Sequence, residues 1–249
     1  MKLKILILLV AVAGLSIVRA QTKSSPSIPP FALVELFTSE GDHASPPADE
    51  LLRKIKSDAI KNNKPVYTVA YHVDYWNKYG WKDPYSKLQF TYIQRNYMST
   101  LNQKEMFTPQ MIVNGRYSFT GSDEAKIKSA IDKALKTNAY CTISIKKDSV
   151  VNDTLYVSYQ SSVASSDYSI KVLLLESGLK SAITAGDNKG KTLLHENVCR
   201  VYQSKSLNAK SGQLKIPVNG IRINVNMSLL AFVQMKGALN VLGICTGKL

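Results

Sequence analysis

Asp42, His43, Ala44 and Ser45 lie between an apolar run and a double proline in "ELFTSEGDHASPPADELL", the segment 35–52. Two cysteines in those four positions would make a dithiol at a helix start. The helix dipole and free backbone N–H groups hold a thiolate there and lower its pKa. This segment has no sulfur. A carboxylate does not attack a disulfide and an alcohol does not resolve one, so Asp42 and Ser45 exclude dithiol exchange at this turn. Both suit plain structure. Ser45 before Pro46 reads as a helix N-cap, and Asp42 puts negative charge near the positive helix end, worth roughly 0.3–1 kcal/mol. A different chemistry opens if the strand ending "YHVDYW" stops beside this turn. Asp42, His43, His72 and Asp74 would then gather two imidazoles and two carboxylates, a donor set for zinc or a similar metal. The adjacency of Asp42 and His43 is awkward for two ligands. A hydrolase on His43 and Ser45 lacks a nucleophile elbow.

The other reactive side chains are dispersed. Cys141, Cys199 and Cys245 fall in apolar, strand-like stretches, and none belongs to a Cys-x-x-Cys pair. They are either one disulfide and a thiol or three small core residues. Trp76 and Trp81 stand among many tyrosines between Tyr67 and Tyr97. Such residues build binding walls, and they also serve as core and loop anchors. Thr108-Pro109 precedes the apolar "QMIV". His195 and Arg200 sit on a strand and read as satisfied structural groups.

These residues need elements to hold them. Residues 31–37, "FALVELF", form a continuous apolar run and predict a buried strand. From Pro46 the apolar spacing predicts a helix with Asp49 and Glu50 in its first turn. "KPVYTVAYHV" predicts a second strand, and strand–helix–strand implies a parallel βαβ unit. A helix over 84–100 follows. Next come a hairpin turning at Asn114-Gly115 and a helix from Ser122 to Leu135 capped by Ser122. After Tyr140 about seven short β-type runs separated by polar turns suit an antiparallel sandwich. The boundary is expected near Asn138, giving units 31–138 and 139–249.

The frame of the first turn, with "AYHVDYWNKYGWKDP", "FTPQMIVNG", "GSDEAKI", "LLLESG" and "GKTLLHENVCRV", resembles a family of secreted bacterial proteins, domain of unknown function 1223. The resemblance covers nearly the whole chain after residue 30. It implies a thioredoxin-like α/β domain followed by an all-β, sandwich-like domain. Members carry cysteine at the positions that are Asp42 and Ser45 here, so the redox chemistry is not implied for this chain. In thioredoxin-like folds the proline facing the active turn is cis, and Pro109 matches that position. Such a bond exposes the preceding residue, Thr108, for pairing with an extended peptide.

At the level of the whole chain, "MKLK" and the apolar stretch after it predict a secretory signal over residues 1–20. A Ser/Pro leader over 21–30 follows. No later run reaches the ~20 apolar residues of a membrane helix. The 249 residues carry a formal charge of +14, but the lysines are scattered and no nucleic-acid signature accompanies them. The expectation is a periplasmic or extracellular bacterial protein without cofactor or specific nucleic-acid partner. It would bind an extended peptide or an envelope protein through His43, His72, Asp74, Trp76, Trp81, Thr108 and Pro109. The alternatives are attachment to an anionic surface through the lysines, or an enzyme with residual thiol or metal chemistry at the remodelled turn.

Overall fold

The computed structural model describes residues 27–249. The expected signal segment 1–20 and the leader up to residue 26 lie outside the described residues. Strand β1, Ala32–Thr38, is buried along its whole length. Helix α1, Ser45–Lys61, leads from it into strand β2, Val66–His72. β1 and β2 pair in parallel from Ala32↔Val66 to Thr38↔His72. The apolar run of β1 has no polar alternation because helices cover both of its faces. Ala32, Val34 and Leu36 pack with Leu51, Leu52 and Ile55 of α1, and with Ile127 and Ile131 of α3, Glu124–Ala134. Leu33 and Phe37 face the opposite side, toward Phe90 and Tyr97 of α2, Leu88–Thr100.

Strand β3, Gln110–Val113, runs antiparallel to β1 and turns into β4, Tyr117–Thr120. Asn114 and Gly115 in that turn take φ of 49° and 68°. The second value suits glycine. A Cβ on Gly115 would also lie 1.9 Å from the Leu239 carbonyl oxygen.

The second half contains nine strands rather than about seven. They are β5 Ile143–Val151, β6 Thr154–Ser161, β7 Tyr168–Glu176, β8 Leu179–Ala182, β9 Thr192–His195, β10 Val198–Ser206, β11 Ser211–Pro217, β12 Met227–Met235 and β13 Val241–Gly247. "TLLHENVCRVYQ" is two strands, broken where Asn197 takes a φ of 50°. Four of these strands extend the first sheet, whose order is β13-β12-β7-β10-β2-β1-β3-β4. The boundary expected near Asn138 therefore does not divide the sheet. β5, β6 and β11 form a three-stranded sheet over a separate apolar cluster shared with β7, β10, β12 and β13. β8 and β9 pair as a small hairpin.

The helix starts differ from the sequence expectation. Ser45 is the first residue of α1, with Ala44 at the cap position and no side-chain cap. The first turn of α1 holds no acidic residue, so Asp49 lies deeper in the helix than expected. α2 begins at Leu88 rather than at residue 84, because Asp83 is committed to other partners, described below. Asp123, not Ser122, caps α3 by accepting from the Lys126 N–H at 3.2 Å.

Candidate functional site

The turn between β1 and α1 is closed by its own side chains. Asp42 Oδ2 accepts from Ser45 Oγ at 2.8 Å, and Oδ1 accepts from the Ala44 N–H at 2.9 Å. Ser45 Oγ also accepts from the Ser39 N–H at 3.3 Å. Asp42 and Ser45 are both buried, while His43 and Ala44 are exposed. A loop from the second half locks the turn from outside. Asn188 Nδ2 donates to the carbonyls of Glu40 at 2.9 Å and Asp42 at 3.0 Å. The side-chain oxygens of Asp42 and Ser45 are thus spent on each other and on the local backbone.

His43, His72, Asp42 and Asp74 do not gather. His43 points outward, with Nδ1 3.7 Å from Asp187 and 4.0 Å from Asp42. Asp74 accepts from Thr91 Oγ1 at 2.5 Å, away from the turn. His72 ends β2 and is fully buried. The four residues that the sequence offered as a possible donor set are therefore not brought together, and the histidine beside His72 is His195, not His43.

His195 ends β9 and is buried against His72, with ring centroids 4.8 Å apart and planes at 81°. Each imidazole has a carboxylate behind it. His72 Nδ1 lies 2.7 Å from Asp83 Oδ2, and His195 Nε2 lies 3.0 Å from Glu40 Oε1. The opposite ring nitrogens, His72 Nε2 and His195 Nδ1, are buried and have no hydrogen-bond partner. Asp49 completes the group from α1, its Oδ1 3.8 Å from His195 Nδ1. One ligating atom from each of Asp49, His72 and His195 lies within 4.8 Å of the others. Among the described residues this is the group of three or more whose spacing could admit a metal ion.

The supports of the cluster are fixed in turn. Thr38 Oγ1 donates to Asp49 Oδ2 at 2.9 Å, and the Glu40 N–H donates to Asp83 Oδ2 at 2.9 Å. Trp81 Nε1 donates to Glu40 Oε2 at 2.8 Å. Burial would raise the Asp83 pKa, but the His72 ring and two backbone N–H groups hold it below its usual range. Burial would lower the His195 pKa, but Asp49 and Glu40 beside it prevail and raise it to about 9. The ring of Tyr85, half-buried, stands edge-on to both imidazoles at 5.4 and 5.8 Å. Arg200 pairs with Glu176 and stacks 5.4 Å over Tyr85.

Trp76 and Thr108 meet beside the turn, the indole Nε1 donating to Thr108 Oγ1 at 2.7 Å. The Thr108-Pro109 bond is cis. Pro109 approaches Ala48 of α1 across Gly121, where a Cβ would lie 2.8 Å from Pro109 Cβ and 2.9 Å from Ala48 Cβ. The cysteines are far from this chemistry in kind. Cys141, Cys199 and Cys245 are unbridged. Burial pushes the thiols of Cys141 and Cys245 up to about 11 and about 12, and that of Cys199 up as well. Such thiols are poor nucleophiles near neutral pH.

His72 and Trp76 were visible in sequence. Glu40, Asp49, Asp83 and His195 were not recognised as partners, because the loop that carries Asp83 and the strand β9 that carries His195 and packs on α1 are brought to them only by the fold. The resemblance of "GKTLLHENVCRV" to the family pattern was the one signal at His195.

No helix among the described residues is long and apolar enough to cross a membrane. A search of curated proteins returns no match. A crystal structure of an Agrobacterium tumefaciens protein shares the fold at 24% identity. It has a TM-score of 0.63 and covers 90% of this chain and 95% of that one. A domain of the outer membrane lipoprotein Omp28 from Porphyromonas gingivalis aligns at 17% identity and a TM-score of 0.25. That match covers 45% of this chain and 96% of that domain. The family model for protein of unknown function (DUF1223) matches residues 33–234, and the chain belongs to that family.

Proposed function

We propose that this is a secreted envelope protein that uses a thioredoxin-like frame for binding rather than for dithiol exchange. The observation that carries this reading is the bond between Asp42 and Ser45, which occupies both positions where the chemistry would lie. The parallel β1–α1–β2 unit and the β3–β4 hairpin after Pro109 support the thioredoxin-like description. The apolar N-terminal segment supports secretion. The occupant proposed is an extended peptide segment. It pairs with the backbone at Thr108 and packs against the half-buried Trp76, with the exposed Tyr79 as a further wall.

Two measurements test this. In an insulin disulfide-reduction assay the native chain is expected to be inactive, because Asp42 and Ser45 offer no thiol. In a peptide-array titration it is expected to bind extended segments with little dependence on salt, and Trp76→Ala is expected to weaken binding at least tenfold. Insulin reduction by the native chain would overturn the thiol-free reading. Binding that collapses with added salt would transfer the function to the lysine-rich surface instead.

A further inference from the structure

We propose that Asp49, His72 and His195 form a binding site for one divalent transition-metal ion of the zinc class, with Asp83 and Glu40 holding the two imidazoles from behind. The proposal does not depend on peptide binding. It rests on the direction in which the buried nitrogens point.

An ionised carboxylate only accepts, so Asp83 calls for an N–H at His72 Nδ1 and Glu40 calls for one at His195 Nε2. In the neutral ring the other nitrogen then presents a lone pair, and at His195 an ion takes the place of the proton that Asp49 and Glu40 favour. Those two atoms, His72 Nε2 and His195 Nδ1, are the ones left without a partner in the buried interior. His195 Nδ1 lies 3.8 Å from Asp49 Oδ1, and one ligating atom of His72 lies within 4.8 Å of the other two residues' ligating atoms. Two such nitrogens and a carboxylate oxygen within this distance are a donor set that a single cation satisfies.

The charge balance points the same way. Glu40, Asp42, Asp49 and Asp83 are all buried. Among the described residues no lysine or arginine lies within 4.0 Å of any of them, and their ion-pair partners are histidines alone. Buried carboxylates are retained where something compensates them. A divalent ion does so while the imidazoles stay neutral, the form in which they ligate.

Two imidazoles and one carboxylate are a donor set for zinc and its neighbours. A carboxylate on the far nitrogen of a ligating histidine fixes its tautomer and raises its basicity. Here that arrangement occurs twice. An ion at about 2.0–2.2 Å from each atom would draw the three ligands to about 3.3 Å apart. From the present 4.8 Å limit that takes side-chain movement on the order of 1 Å.

The test uses the untagged full chain, since three histidines are all it has. Metal content is measured as purified. The chain is then stripped by chelator and titrated with Zn2+ in a calorimeter and with Co2+ in the visible spectrum. The result expected is one ion per chain, a Tm that rises with added Zn2+, and Co2+ bands of nitrogen and oxygen coordination. His72→Gln and Asp49→Asn are expected to lose at least 100-fold in affinity. Glu40→Gln is expected to keep the stoichiometry and lose 10–100-fold. His43→Ala is expected to bind as the native chain does. Loss of the ion in His43→Ala, or undiminished binding in both His72→Gln and Asp49→Asn, overturns the proposal. Where a cluster variant fails to fold, the native titration decides alone: no stoichiometric binding and no Tm shift overturn it.

Discussion

Glu35 shows how far a single buried residue can depart from its ordinary behaviour. It lies in the middle of β1 and accepts from Tyr71 at 3.1 Å and Tyr97 at 2.7 Å. Burial raises its pKa from 4.5 to about 7, against the lowering effect of those two hydroxyls. The folded state therefore holds a proton that the unfolded chain has released between those two values. Below 4.5 both states are protonated and Glu35 has no effect; above about 7 both are ionised and the penalty is complete. Stability should fall as pH rises through this window, by about 3 kcal/mol for this residue. Urea unfolding of Glu35→Gln should show that fall removed. An unchanged pH profile in the variant would assign the proton elsewhere. The residue scale is also where sequence reading reached least far. Asp42 and Ser45 were legible because they share a turn. Glu40 and His195 are 155 positions apart, and no spacing rule links them.

The elements were more legible than their joins. The strands of the second half were marked by apolar runs bounded by polar turns, and most lie where those runs lie. Their sheet was not legible, although β7 and β12 carried a sign of it. "VLLLE" and "LLAFVQ" are nearly continuous apolar stretches, and β7 and β12 are buried on both faces. Helix starts failed where a capping residue had a stronger partner elsewhere, as Asp83 has in His72. The β3–β4 turn makes a join of its own, since Gly115 meets the Leu239 carbonyl. Gly115→Ala combines an unfavourable φ with a backbone clash and should cost roughly 2–3 kcal/mol. A lowered urea midpoint at unchanged slope would bear this out, and an unaltered midpoint would show that the two turns separate freely.

Across the whole molecule, the seam between β10 and β2 decides how the protein unfolds. Only Val198↔Ala70 pairs across it in register. Side chains reinforce it: Asn197 Nδ2 reaches the Thr68 carbonyl and hydroxyl, and Lys56 reaches Ser177, Glu196 and Asn197. One apolar cluster runs through both halves, from Leu33, Phe37 and Tyr71 to Leu173, Tyr202 and Phe232. The chain should therefore melt in a single calorimetric transition, and the fragment 31–138 should be insoluble alone. Two resolved transitions, or a soluble folded fragment, would show instead that the halves are autonomous.

The seam also orders events in time. Asp49 and His72 leave the ribosome long before His195, which ends the strand directly preceding β10, the neighbour of β2 in the sheet. The proposed ligand set is thus incomplete until most of the chain has been made and closes late in folding. An ion at the proposed site would therefore meet its full ligand set only in the folded chain, not while the first half was being made.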